Sequence, residues 1–176
     1  KQRMALYNTW LPHLHAAFHE QSIELPYYFA PAAKPFLEDI TPWQREFQTK
    51  IGEYNKKDFD NNGWLYFSKE RFDLLYPSYG DTFPTLNGAI AMTYEQGGIR
   101  GGLAYAKTDG DTVTLKQRIM HHVSTSFAAL SAISDNATQT VTEFNRYFEK
   151  NRNNPAGIYQ SYIIKAKDSE SKIAEL

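Results

Sequence analysis

Two residues in this sequence have the type and setting for hydrolytic chemistry. Glu95 closes the apolar run Ala89 to Tyr94 and opens the glycine-rich stretch Gln96-Gly97-Gly98-Ile99-Arg100-Gly101-Gly102. A carboxylate ending a buried strand beside an open cleft has its direction fixed by the scaffold, which suits general-base work. The plainer reading is a solvated strand-end glutamate, and spacing alone favours it. His19 ends the short run His13-Leu14-His15-Ala16-Ala17-Phe18-His19, whose alternation puts His13, His15, Ala17 and His19 on one strand face. A neutral imidazole is a legitimate zinc ligand, but one ligand cannot hold a metal. A shared site of His13, His15 and His19 is disfavoured, because residues two apart on a strand lie about 6.6 Å apart. The adjacent pair His121-His122 falls within a predicted helix, where neighbours point about 100° apart, so these two read as packing or surface residues.

The elements that must carry these groups follow from local signals. Residues 2 to 10 have mixed helical spacing and stop before Pro12. Thr41-Pro42-Trp43-Gln44 combines a hydroxyl cap, a proline at the first turn and a reciprocal glutamine, so a helix is expected from there to about Asp60, ended by Asn62-Gly63. Thr114 with Gln117 opens a second long helix to about Ile133, and a third runs from about Asp135 to Asn151. Between these, residues 21 to 40 read as ordered loop, Trp64 to Phe67 as a short extended piece, and Lys69 to Leu75 as a short helix. Tyr76 to Gly88 reads as loop, and Asp109-Gly110 as a hairpin turn. Ile158 to Lys165 reads as a strand, and Glu170 to Leu176 as the start of a helix.

Composition narrows the class. The chain has 176 residues, 41% hydrophobic and 22% charged, the balance of a globular domain with a real core. A formal net charge of -1 and the lack of any basic run argue against nucleic acid as a partner. No apolar stretch is long enough for a helical membrane span. Cysteine is absent, which removes thiolate metal sites, disulfides and cysteine nucleophiles together. Aromatic residues reach 15%, many of them between Tyr27 and Tyr94, and serve either packing or a binding surface.

Three stretches taken together carry a family likeness. They are Phe18-His19-Glu20-Gln21; Pro26-Tyr27-Tyr28-Phe29-Ala30-Pro31-Ala32-Ala33 with Ile40-Thr41-Pro42-Trp43-Gln44; and Tyr76 to Gln96, ending Ala91-Met92-Thr93-Tyr94-Glu95-Gln96-Gly97-Gly98. Over roughly residues 1 to 150 the chain resembles a bacterial branch of the zinc carboxypeptidase family (carboxypeptidase A-like). The resemblance implies a three-layer α/β/α fold around a mixed sheet, of which this chain is the carboxyl-terminal half. Residues 1–152 would belong to that catalytic domain, and residues 153–176 to a linker and the start of a following segment. It implies zinc as cofactor, a peptide as substrate and export from the cytoplasm. His19 matches the family's third zinc ligand, and Glu95 the glutamate that activates the zinc-bound water and passes its proton to the leaving amine. Such a metal lowers the pKa of its bound water to about 7. Tyr76 matches the mobile tyrosine that closes over the substrate, with Tyr79 as its rival. Thr82 and Phe83 would border the specificity pocket.

The departures are as informative. The family's His-x-x-Glu ligand pair, its carboxylate-binding arginine and its Asn-Arg pair lie upstream of the third ligand and have no counterpart here. Arg100 follows the glutamate and does not replace them. Ala17 stands where a polar or acidic residue is expected. The chain alone is therefore expected to bind zinc poorly and hydrolyse nothing. Without the upstream half of its domain it should also expose a sheet edge and an apolar face, prone to self-association. Two other readings use the same residues: a peptide- or sugar-binding module built on the aromatic loops Tyr27 to Phe29 and Tyr76 to Phe83, and a degenerate relative in which His19 and Glu95 are remnants.

Overall fold

The computed structural model describes residues 2–99, 101–153, 157–159, 161, 163 and 165. In chain order the elements are α1 (Gln2–Trp10), β1 (Leu14–Ser22), β2 (Tyr27–Tyr28), β3 (Ala33–Phe36), α2 (Pro42–Asn62), β4 (Tyr66–Phe67), β5 (Asp73–Leu74) and the single turn α3 (Thr82–Thr85). They continue with β6 (Ile90–Gly98), β7 (Ala104–Ala106), β8 (Thr112–Thr114), α4 (Leu115–Asp135) and α5 (Ala137–Asn153). The architecture is mixed α/β with open sheets. A four-stranded sheet runs in the order β1-β6-β2-β4, and β3-β5 and β7-β8 form two small pairs.

The long strands β1 and β6 are parallel and in register over nine residues, from Leu14↔Ile90 to Ser22↔Gly98. Even-numbered residues of both face the core. Ile90, Met92 and Tyr94 pack there against Phe47, Ile51 and Phe59 of α2 and Ala129 and Ala132 of α4. Odd-numbered residues face the other way, toward α1 and α3, where Tyr7 meets the rings of His15 and Phe83.

Both long helices begin as their local sequence predicts. Thr41 and Gln44 form a reciprocal capping box on α2, Thr114 and Gln117 do the same on α4, and Gly63 ends α2 with a left-handed φ of 67°. Helix α2 also completes β6. On the side away from β1, β6 has strand pairing among the described residues only at Tyr28↔Glu95. The carbonyls before that point are met by helix side chains instead. Gln44 Nε2 donates to Thr85 O at 2.7 Å and Ala89 O at 2.9 Å, and Gln48 Nε2 donates to Ala91 O at 2.6 Å. Two buried glutamines thus satisfy acceptors that would otherwise be orphaned in the core.

Several local expectations are corrected. Lys69 to Leu75 is not helical: Lys69 and Arg71 have positive φ, and β5 pairs with β3, because burial of Leu74 and the bond from Ala33 N–H to Phe72 O outweigh one uncapped helical turn. The 21–40 segment contains β2 and β3, and Tyr27, Tyr28 and Phe29 are buried core residues, so they form no aromatic binding surface. The 76–88 segment contains α3, opened by Asp81 accepting from Thr82 N–H at 2.7 Å. Neither β1 nor β6 stops at its candidate residue. Pairing with β1 carries β6 through Gln96 and Gly97 to Gly98, where a flexible loop is expected from sequence. Among the described residues from 157 to 165 no strand is present, and the remainder of the expected strand and the helix of residues 170–176 lie outside the described residues.

The glutamine contacts give a stability test. Gln48→Leu leaves the Ala91 carbonyl buried without a partner and is expected to cost about 1–3 kcal/mol, read as a lower urea midpoint at unchanged slope. An unchanged midpoint would mean that the carbonyl is satisfied in some other way.

Candidate functional site

The register of β1 and β6 sets His19 opposite Glu95 on neighbouring strands, which lie about 4.8 Å apart. Both side chains belong to the odd face. With Arg71, Tyr79, Asp81 and Thr93 they line a cleft of about 400 Å³. Its floor is kept open by small residues. Ala17 lies beneath Gly80, where even an added Cβ would stand 3.9 Å from its methyl group. Ala17 thus has a packing role: it admits the Tyr79–Asp81 loop close to the sheet.

Glu95 is only 7% exposed, and among the described residues no group hydrogen-bonds its carboxyl. Burial pushes its pKa above the usual carboxylate range, His19 opposite pulls it down, and the like charge of Asp81 pushes it up again. A carboxylate with a raised pKa is a better proton acceptor than an exposed one. Asp81 is held firmly. Its Oδ1 accepts from Thr82 N–H, and its Oδ2 accepts from Thr93 Oγ1 at 2.9 Å.

The remaining candidates divide. Tyr79 lines the cleft, whereas Tyr76 stands outside the lining with its ring edge-on to Tyr79 at 5.1 Å. Thr82 is fully buried and does not border the cleft, because the first turn of α3 directs it inward to hold Asp81. Phe83 packs on Tyr7. His15 is covered by Tyr7, and His13 lies against Phe144 at 4.1 Å, so of these three histidines His19 is the one that reaches the cleft. His121 and His122 belong to α4, on the opposite sheet face. His121 Nδ1 meets Gln96 Oε1 at 2.6 Å, with its pKa lowered to about 4 by burial, and His122 Nδ1 meets the Tyr27 hydroxyl at 2.8 Å. Both are packing residues.

Sequence reading missed Asp81, Thr93 and Arg71. Thr93 was legible as the residue two before Glu95 on the same strand face, and Asp81 as the cap of Asp81-Thr82-Phe83-Pro84-Thr85. No sequence signal marks Arg71. A larger cleft of about 600 Å³ lies between the Pro31–Phe36 segment and α2, lined by Lys34, Arg45 and Lys69 among others. Glu46 lines it beside those cations but no histidine does, so the metal-ligand and general-base chemistry points to the smaller one.

Among the described residues no group of three or more His, Cys, Asp or Glu side chains is placed to share a metal ion. A catalytic zinc takes three protein ligands, of which His19 would be one. Comparison with protein-family models, curated proteins and solved structures finds no match for the chain.

The raised pKa of Glu95 has a definite sign in stability. A folded-state pKa above the unfolded one contributes stability that is complete below the unfolded value and is lost as pH rises through the folded value. Glu95→Gln is therefore expected to be more stable than the parent above that window, with the difference closing below it. A carbon-detected NMR titration should place the Glu95 midpoint above that of an ordinary glutamate, lower in Asp81→Asn and higher in His19→Ala. A normal midpoint in the parent would contradict this electrostatic account.

Proposed function

We propose that this chain is the carboxyl-terminal half of the catalytic domain of a zinc metallocarboxypeptidase, which hydrolyses peptide bonds at or near a carboxyl terminus. The observation that carries the reading is the in-register pair His19↔Glu95, side by side on one sheet face and in one cleft with Tyr79. The sequence likeness from Phe18 to Gln21 and from Tyr76 to Gly98 supports it independently. In this reading Glu95 takes a proton from the attacking water, and burial has already raised its affinity for that proton. His19 contributes one zinc ligand, and Tyr79, rather than Tyr76, is the tyrosine that meets the substrate. The other ligands come from the upstream half of the domain, so no metal-dependent step belongs to this chain alone.

Where that half would dock is consistent with the surface. Strand β1 ends the sheet order, and among the described residues one side of its nine residues has no neighbouring strand. Beside it, α4 exposes Leu115, Ile119, Val123, Phe127 and Leu130 at helical spacing. His122 of α4 touches Phe18 of β1, while Ser124 donates to Asp58 of α2, so the stripe lies on the flank away from α2 and next to the open edge. An open edge and an adjoining apolar stripe are features that a covering half-domain would bury.

In a chain extended on its amino-terminal side, Glu95→Gln is expected to reduce peptide hydrolysis by about 10²–10⁴-fold with little change in KM. Robust hydrolysis by the isolated 176-residue chain, or full activity in the variant, would refute the proposal.

A further inference from the structure

The cleft of about 600 Å³ between the Pro31–Phe36 segment and α2 shares no lining residue with the cleft at His19 and Glu95, and the proposed hydrolysis makes no use of it. Arg45, Gln48 and Thr49 stand at i, i+3 and i+4 on α2, so they present one helix face to it. The facing wall is apolar and firmly seated, because Phe36 packs on the small core of Ala32, Ile40 and Leu74.

The charge of this cleft is lopsided. Lys34, Arg45 and Lys69 line it against the carboxylate of Glu46, an excess of two positive charges in a chain whose net charge is -1. Among the described residues no carboxylate pairs with these three cations and no acceptor hydrogen-bonds their side chains. Two of them are held in place without an anion. The Arg45 guanidinium lies 5.8 Å from the centroid of the Phe36 ring. Lys69 has a φ of 62°, a conformation that favours glycine, and its N–H is fixed on Pro31 O at 2.9 Å. Like charges gathered without partners raise the energy of the empty cleft, and a bound anion lowers it.

Gln48 adds a second requirement. It is 2% exposed, and its Nε2 is committed to Ala91 O. Among the described residues no group donates to its Oε1, so this cleft-lining side chain keeps a free acceptor. A ligand that satisfies it must bring a hydroxyl or an N–H.

We propose that this cleft binds a small phosphate monoester carrying hydroxyl groups, with the phosphoryl group among Lys34, Arg45 and Lys69 and a hydroxyl donating to Gln48 Oε1. A phosphate monoester carries about 1.5–2 negative charges at pH 7, which matches the excess, and it offers three acceptor oxygens to one guanidinium fork and two ammonium groups. A carboxylate brings one charge and two oxygens. The volume falls within the range of about 300–1,000 Å³ that holds small ligands. The site stands apart from the hydrolase reading and does not depend on it.

The test is calorimetric titration of the chain, with a chelator present, using glucose 6-phosphate, glucuronate, glucose and methyl phosphate. Glucuronate exchanges the phosphate for a carboxylate, glucose removes the anion, and methyl phosphate removes the hydroxyls. Glucose 6-phosphate is expected to bind about tenfold more tightly than any of the other three. Arg45→Gln and Lys69→Gln should each weaken that binding about tenfold. Lys57→Gln makes the same charge change on α2 outside the cleft and should leave it unchanged. Lys69→Gly relieves the left-handed backbone, so it should raise the melting temperature while weakening phosphate binding, which separates binding from damage to the fold. Failure of the parent to bind glucose 6-phosphate overturns the proposal. So does equal affinity for glucuronate or methyl phosphate, or a loss in Lys57→Gln as large as in Arg45→Gln.

Discussion

The nine-residue parallel register between β1 and β6 is the constraint on which the rest of the molecule depends. Because strand side chains alternate, this one pairing sorts the residues of both strands into a face that builds the core and a face that builds a cleft. A slip of one residue would carry Met92 and Tyr94 into solvent and drive Thr93 and Glu95 into the aromatic core. The pairing is therefore held from several directions. Gln44 and Gln48 tie β6 to α2, Tyr28 pairs with Glu95 on its far side, and Arg118 of α4 binds Glu20 at the end of β1 at 2.9 Å.

The electrostatics of the cleft follow from that geometry. Glu95 is buried because β1 and β2 flank it within the sheet and residues of the Arg71–Asp81 segment border the odd face, and burial is the largest influence on its proton affinity. Asp81 adds to that effect from a fixed position, since Thr82 and Thr93 hold its two oxygens. On the opposite face His121 and His122 are half-buried among aromatic rings, with their pKa values lowered. The same residue type thus serves packing within α4 and stands exposed in the cleft at His19.

Much of the fold was legible in the sequence wherever the signal is local. The capping boxes at Thr41 and Thr114, the glycine stop at Gly63 and the hairpin at Asp109-Gly110 are each completed within a few residues, and each forms as its chemistry dictates. The failures lie where a distant partner decides. Residues 69 to 75 carry a passable helical pattern, but β3 offers them a ladder. Glu95 looks like a strand end until Ser22 is found opposite Gly98. The site shows the same division. His19 and Glu95 stand out by type and setting, whereas Arg71 is brought to the cleft only by tertiary pinning of a strained turn.

The central claim, that His19 is one ligand of a zinc site completed from outside this chain, is tested most directly by zinc stoichiometry and affinity. The measurement compares the isolated chain, its His19→Ala variant and a chain extended on the amino-terminal side. The account predicts no tightly held zinc in the isolated chain, one zinc per molecule in the extended one, and its loss there with His19→Ala. One tightly held zinc in the isolated chain, lost on replacing His19, would mean that ligands within these residues complete the site and would contradict the account.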